Sequence, residues 1–215
     1  MYARKPIQRI VIDTTGSYTE LCEIGKKLGI DKSPYTTRDG AHRHPYTGVY
    51  SMIFAPLKNQ KIRFAEIGIA GGGSVILWNH YFKQATFRFF DCDENFLETS
   101  RSFGFPNNTF DKMDVSKDGD IARALGDELY DIILDDSSHK IEDQIRIIKE
   151  ALPLVKSGGY IIIEDVFRNT PEIDYLKELI DVLPSFSQAY FVICNHEERY
   201  SPGWNNDKLL VLCKA

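Results

Sequence analysis

Cysteine is scarce: four among 215 residues, at Cys22, Cys92, Cys194 and Cys213, with no two in C-x-x-C spacing. That pattern excludes a disulfide scaffold and reads as reduced, mostly buried thiols of a cytoplasmic protein. No apolar run approaches the roughly 18 residues needed to cross a bilayer, and the opening MYARKPIQRI lacks the apolar stretch of a signal peptide. A basic surplus is also missing. Lysine and arginine total 26 against 31 acidic residues, a net charge of −5, which argues against nucleic acid as a partner. What is present is ordinary globular composition, 43% hydrophobic and 27% charged, which excludes disorder as the main state.

The hydrophobic pattern divides the chain into a front segment, residues 1–57, and a βα region, residues 58–215. The first twelve residues read as an extended arm. Ser17 and Glu20 have capping-box spacing and Gly29 supplies a stop, so a helix is expected over 17–28. Residues 30–45 form a turn-rich loop, and a second helix is expected over 46–57. Beyond it, RFAEIGI, TFRFFDCD, TFDKMD, LYDIILDD and YIIIED read as strands, most of them followed by helix-period segments. QAYFVIC and KLLVLCK close the chain with no helical pattern between them. The expected fold is α/β: a Rossmann-like, seven-stranded, mostly parallel sheet with an antiparallel last strand, helices on both faces and a short helical N-terminal extension. The final hairpin is expected at the sheet edge.

In such sheets ligands sit outside the carboxyl ends of the strands. Those ends carry Glu66, Asp91, Asp135, Asp136, Glu164 and Asp165. The first turn, AEIGIAGGGS, matches neither G-x-G-x-x-G nor G-x-x-x-x-G-K-[ST]. Its glycines let a backbone approach a ligand, and Glu66, two residues before Gly68, disfavours phosphate and suits a cationic group. If the strands bearing Asp136 and the Glu164–Asp165 pair are neighbours, their carboxylates converge and repel unless a cation lies between them. An all-oxygen set favours Mg²⁺, with Mn²⁺ the next choice. The alternative is a set of hydrogen-bonded carboxylates that hold loops.

The E-x-G turn with Asp91 ending the second strand resembles the class I S-adenosylmethionine-dependent methyltransferases. The family turn is commonly [DE]-x-G-x-G-x-G; here Ala70 stands at the middle glycine while Gly68 and Gly72 remain. Asp31–Lys32 followed by HPYTGVY, DDSSH (Asp135–His139), GGYIIIEDV and the late WNNDKLLVL together resemble the metal-dependent sugar O-methyltransferases that act on macrolide antibiotics and related glycans. The resemblance implies S-adenosylmethionine held by Glu66, Gly68, Ala70, Gly72, Ser74, Asp91, Asp114, Asp135 and Tyr50. In that reading Asp91 faces the ribose and Asp114 the adenine. It also implies a metal on Asp136, Glu164 and Asp165.

His139, three residues after Asp136, is then the candidate base for a sugar hydroxyl, with a structural or metal-adjacent role as the alternative. His44, Tyr46, His196 and Trp204 are candidates for gripping the sugar, and each could instead pack a loop on the sheet. The expected partner is a sugar or glycan acceptor, with no nucleic acid or membrane, and homo-oligomerisation is left open. Two other functions stay open: methylation of a catechol or other small phenol, and a non-catalytic cofactor-binding module.

Overall fold

The computed structural model describes residues 7–37 and 40–215. One eight-stranded sheet runs through them in the order β1-β7-β8-β6-β5-β2-β3-β4. Its strands are β1 Gln8–Asp13, β2 Arg63–Ile67, β3 Thr86–Asp91, β4 Asn108–Lys112, β5 Tyr130–Asp135, β6 Val155–Ile163, β7 Phe186–Asn195 and β8 Lys208–Lys214. All neighbours pair in parallel except β8, which is antiparallel to both β6 and β7. In its described part, Gln8–Asp13, the expected arm is therefore an eighth strand, and its residues 1–6 lie outside the described residues. β1 lies parallel to β7, so the β7–β8 hairpin sits inside the edge. Its alternating exposure is that of an edge strand packed on one face only.

The helices are α1 Glu20–Leu28, α2 Tyr46–Phe54, α3 Gly73–Tyr81, α4 Glu94–Arg101, α5 Asp120–Leu125, α6 Ile141–Ala151 and α7 Glu172–Leu179. Thr19 rather than Ser17 caps α1, its side chain accepting the Cys22 N–H, and Gly29 ends the helix in the left-handed region. α2 is one turn shorter than its apolar run suggested. α5, only six residues between Gly119 and Gly126, has too few apolar repeats to stand out in sequence. β6 begins at Val155, before Ser157–Gly159, because the chain passes those residues through a register shift against β5 instead of ending there.

Period-2 alternation splits the buried residues between two faces. Ile132, Leu134 and Ile162 join α1, α2 and α3 in an aromatic core around Tyr50, Phe54, Phe64 and Trp78. Ile133, Ile161 and Ile163 join α5, α6 and α7 in a largely aliphatic one. α1 and α2 thus pack on one face, and residues 29–32 and 40–42 lie over the carboxyl ends of the central strands. Among the described residues no helix is long and apolar enough to cross a membrane.

Candidate active site

A cleft of about 880 Å³ opens over those strand ends, lined at one end by Gly68–Gly71 and Ser74 and at the other by Asp136, His139 and Asp165. The glycine end is built from backbone. Gly68 turns at φ 86° and lies so close to the β5 loop that a Cβ there would meet the Asp136 carbonyl oxygen at 2.2 Å. Only glycine fits. Ala70 also takes a positive φ, and Gly71 faces open space. Asp91 accepts the Ile69 and Ala70 N–H groups at 3.0 and 3.1 Å and so pins the turn from below. Glu66 is fully buried; Ser74 Oγ donates to its Oε2 at 2.9 Å, while its Oε1 has no hydrogen-bond partner among the described residues. Burial pushes its carboxyl up to about 7 against the pull of Lys32.

The other end is built from side chains. Asp136 Oδ1 lies 3.4 Å from His139 Nε2, which lies 3.2 Å from Asp165 Oδ2. One ligand atom from each of these three residues falls within 4.8 Å of the others, a cluster able to hold a metal ion. Within it the two carboxylates are the donors that suit Mg²⁺ or Mn²⁺, and the His139 imidazole stands beside them as a nitrogen base. His139 and Asp165 both sit at positive φ, 58° and 55°, uncommon for residues that carry a side chain.

The layer behind them comes from the N-terminal extension. Tyr46 OH donates to Asp165 Oδ1 at 2.6 Å, and Tyr50 OH donates to Glu164 Oε1 at 2.7 Å. His44 stacks on Tyr46 and bonds Asp207 at 2.7 Å. Lys32 Nζ, buried, donates to Asp136 Oδ2 and, at 2.6 Å, to Glu164 Oε2. Burial opposes its charge, but Asp136 and Glu164 outweigh that and hold its pKa well above the lysine value. In turn, although burial alone would raise it, Lys32 and His139 hold the Asp136 carboxyl down at about 2. Burial likewise favours a neutral His139; its bond to Asp136 and the charge of Asp165 outweigh this and raise its pKa.

The expected site residues divide accordingly. Glu66, Gly68, Ala70, Gly72, Ser74 and Asp91 gather at the glycine end. Asp136, His139 and Asp165 gather at the other. Glu164 is turned away from that cluster to Lys32 and Tyr50. Tyr50, expected at the cofactor, is fully buried against Phe54 and Trp78. Asp135 is buried and holds its own loop through Ser137 at 2.5 Å. Asp114 sits beside the end of β3 but bonds Ser116 and Lys117, which push its carboxyl down to about 2.

His44 and Tyr46, expected at the sugar, are buried behind Asp165. His196 bonds Tyr35 at 3.0 Å, off the cleft lining. Trp204 alone of that set is exposed, at 49%; its ring stacks on Phe167 and stands edge-on to His139 at 6.3 Å. Sequence reasoning missed the roles of Lys32 and of Asp207, which holds His44 and accepts from Arg199. A surplus of carboxylates at three adjacent strand ends was the one signal for an internal cation.

No protein-family profile matches the chain. Curated relatives do. It is 31% identical over 144 residues, 63% of its length, to demethylmacrocin O-methyltransferase of Streptomyces fradiae. It is 30% identical over 139 residues, 58% of its length, to the 8-demethyl-8-(2-methoxy-alpha-L-rhamnosyl)-tetracenomycin-C 3'-O-methyltransferase of Streptomyces olivaceus. Among solved structures, MycE methyltransferase in complex with Mg, SAH and mycinamycin VI superposes with a TM-score of 0.66 at 19% identity, covering 93% of this chain and 55% of that one. The fold is that of the class I methyltransferases. Within that fold β8 is the expected antiparallel last strand, and the glycine turn follows the first strand of the βα region. The chain spans about a third of the length of the curated relatives it matches, 33% and 35%.

Proposed function

We propose that the chain is an S-adenosylmethionine-dependent, divalent-cation-assisted O-methyltransferase acting on a sugar hydroxyl of a glycan or glycosylated small molecule. The observation that carries this is the shared cleft: a backbone turn suited to a methionine moiety and a carboxylate–imidazole cluster line one cavity. Both cradles fit. Gly68–Gly71 leave the turn open to a ligand, and Glu66 Oε1 is an unpaired buried acceptor beneath it. Asp136 and Asp165 would hold the cation; Glu164 reaches it only by releasing Lys32.

When bound, the cofactor supplies an electrophilic methyl group and the cation acidifies and orients a hydroxyl. The chain's own residues do the rest. His139 Nε2 faces the cluster and would take the proton of a hydroxyl presented there, while Tyr46 keeps Asp165 from turning away. Residues 29–32 and 40–42 line the cleft on the side of the N-terminal segment and limit the entry of water. The rhamnosyl groups in the names of two relatives favour a deoxyhexose acceptor, and the exposed Trp204 offers apolar surface to one. The free thiols fit a cytoplasmic setting.

The test is calorimetric titration with S-adenosylhomocysteine in Mg²⁺, followed by methyl transfer from labelled cofactor to deoxyhexose glycosides with and without chelator. Saturable binding and chelator-sensitive transfer are expected. A folded protein that binds no S-adenosylhomocysteine would sink the reading.

A further inference from the structure

Lys32 is bonded to the cation end of the cleft and stands within reach of the glycine end. It reaches the site from the N-terminal loop, where its carbonyl accepts the Thr47 N–H at 3.1 Å and the neighbouring Asp31 carbonyl accepts the His44 N–H at 2.7 Å. Its backbone is therefore anchored to the start of α2. Two of its three ammonium hydrogens go to Asp136 Oδ2 and Glu164 Oε2. The nearest other anion is Glu66, whose Oε1 lies 4.0 Å away and is buried without a hydrogen-bond partner. A shift of about 1 Å would close that gap to hydrogen-bond distance.

Resting on the proposed function above, we propose that Lys32 is a positioning residue that makes cation binding and cofactor binding interdependent. A divalent cation on Asp136 takes over the charge that now holds Lys32 and repels its ammonium. Glu66 Oε1 is the acceptor within reach. Once bonded to Lys32 on one oxygen and to Ser74 on the other, Glu66 is fixed on both sides beneath the glycine turn. The turn is then ordered before the cofactor arrives, so the cation tightens cofactor binding. By linkage the cofactor tightens cation binding by the same factor.

The test reads this coupling directly. S-adenosylhomocysteine is titrated calorimetrically into the full chain without Mg²⁺ and at saturating Mg²⁺, and the ratio of the two dissociation constants is taken. The wild-type ratio is expected to be about fivefold or more. In Lys32→Met the ratio should fall to within about twofold of unity. Glu66→Gln should lose it equally while leaving the Lys32 contacts to Asp136 and Glu164 in place; it decides the matter if Lys32→Met fails to fold by circular dichroism. A residue that only props up the loop would alter both constants and leave their ratio standing. A wild-type ratio of one, or a ratio unchanged in the folded variants, overturns the coupling alone. Absence of S-adenosylhomocysteine binding by the wild-type chain overturns the functional reading and the coupling with it.

Discussion

The two ends of the cleft solve opposite problems. The glycine end achieves its shape by subtraction: side chains are absent at Gly68 and Gly71, and one carboxylate, Asp91, ties two amides of the turn. The cation end achieves its shape by cross-linking: Asp136, Glu164 and Asp165 are each held by a donor from a distant segment, Lys32, Tyr50 or Tyr46. The first kind of site is local in sequence, whereas the second needs the whole chain. Damage to the first should therefore register mainly as steric failure, and damage to the second as lost chemistry.

Gly68→Ala should give the largest effect because it strikes both ends. Its Cβ collides with the Asp136 carbonyl in a backbone region that disfavours side chains. A loss of roughly 2–4 kcal/mol in urea unfolding is expected, with loss of S-adenosylhomocysteine binding. His139→Ala should lower kcat by about 10²–10⁴-fold with the melting temperature nearly unchanged. Turnover within threefold of wild type would leave His139 a ligand or a prop.

Asp136→Asn should abolish stimulation by Mg²⁺ yet keep S-adenosylhomocysteine affinity in Mg²⁺-free buffer within about threefold; a large loss there would erase the distinction between the two ends. The pH profile sharpens it further. The base must be neutral, and the carboxylates beside His139 raise its pKa, so the acid limb of kcat/KM should lie above pH 6.5 at low cation and move down as Mg²⁺ neutralises those carboxylates. A limb indifferent to Mg²⁺ would place the titrating group elsewhere. Trp204→Ala should be mildest, raising the acceptor KM roughly 3–10-fold with cofactor affinity untouched.

The same contrast explains what could be read in advance. The glycine turn and the acidic strand tips were legible because each is a contiguous run whose chemistry depends on its own neighbours. The sheet was legible for the same reason, through alternating βα segments. β1 was not: its strand character comes from pairing with β7, about 180 positions away, and QRIVID alone shows only weak alternation. Nor were the partners of the carboxylates. Tyr46 and Tyr50 sit one helical turn apart on α2, which marks them as a shared face but does not say whether that face meets core or ligand. Lys32 lies in a polar loop where a solvated lysine is the default. Its burial became intelligible only when three strand ends brought their charges to one point.

The span of those cross-links has a consequence in time. His44 bonds Asp207 across 163 positions, Tyr46 bonds Asn206 across 160, and β1 waits for β7. Closing such loops carries a large entropic barrier, and contacts of this range form late. A nascent chain therefore has its acidic strand tips assembled before the N-terminal segment can dock on its last partners. Refolding followed by a cation-sensitive probe should show the glycine turn structured first and cation capture trailing it, limited by the return of the chain's first fifty residues to its last ten.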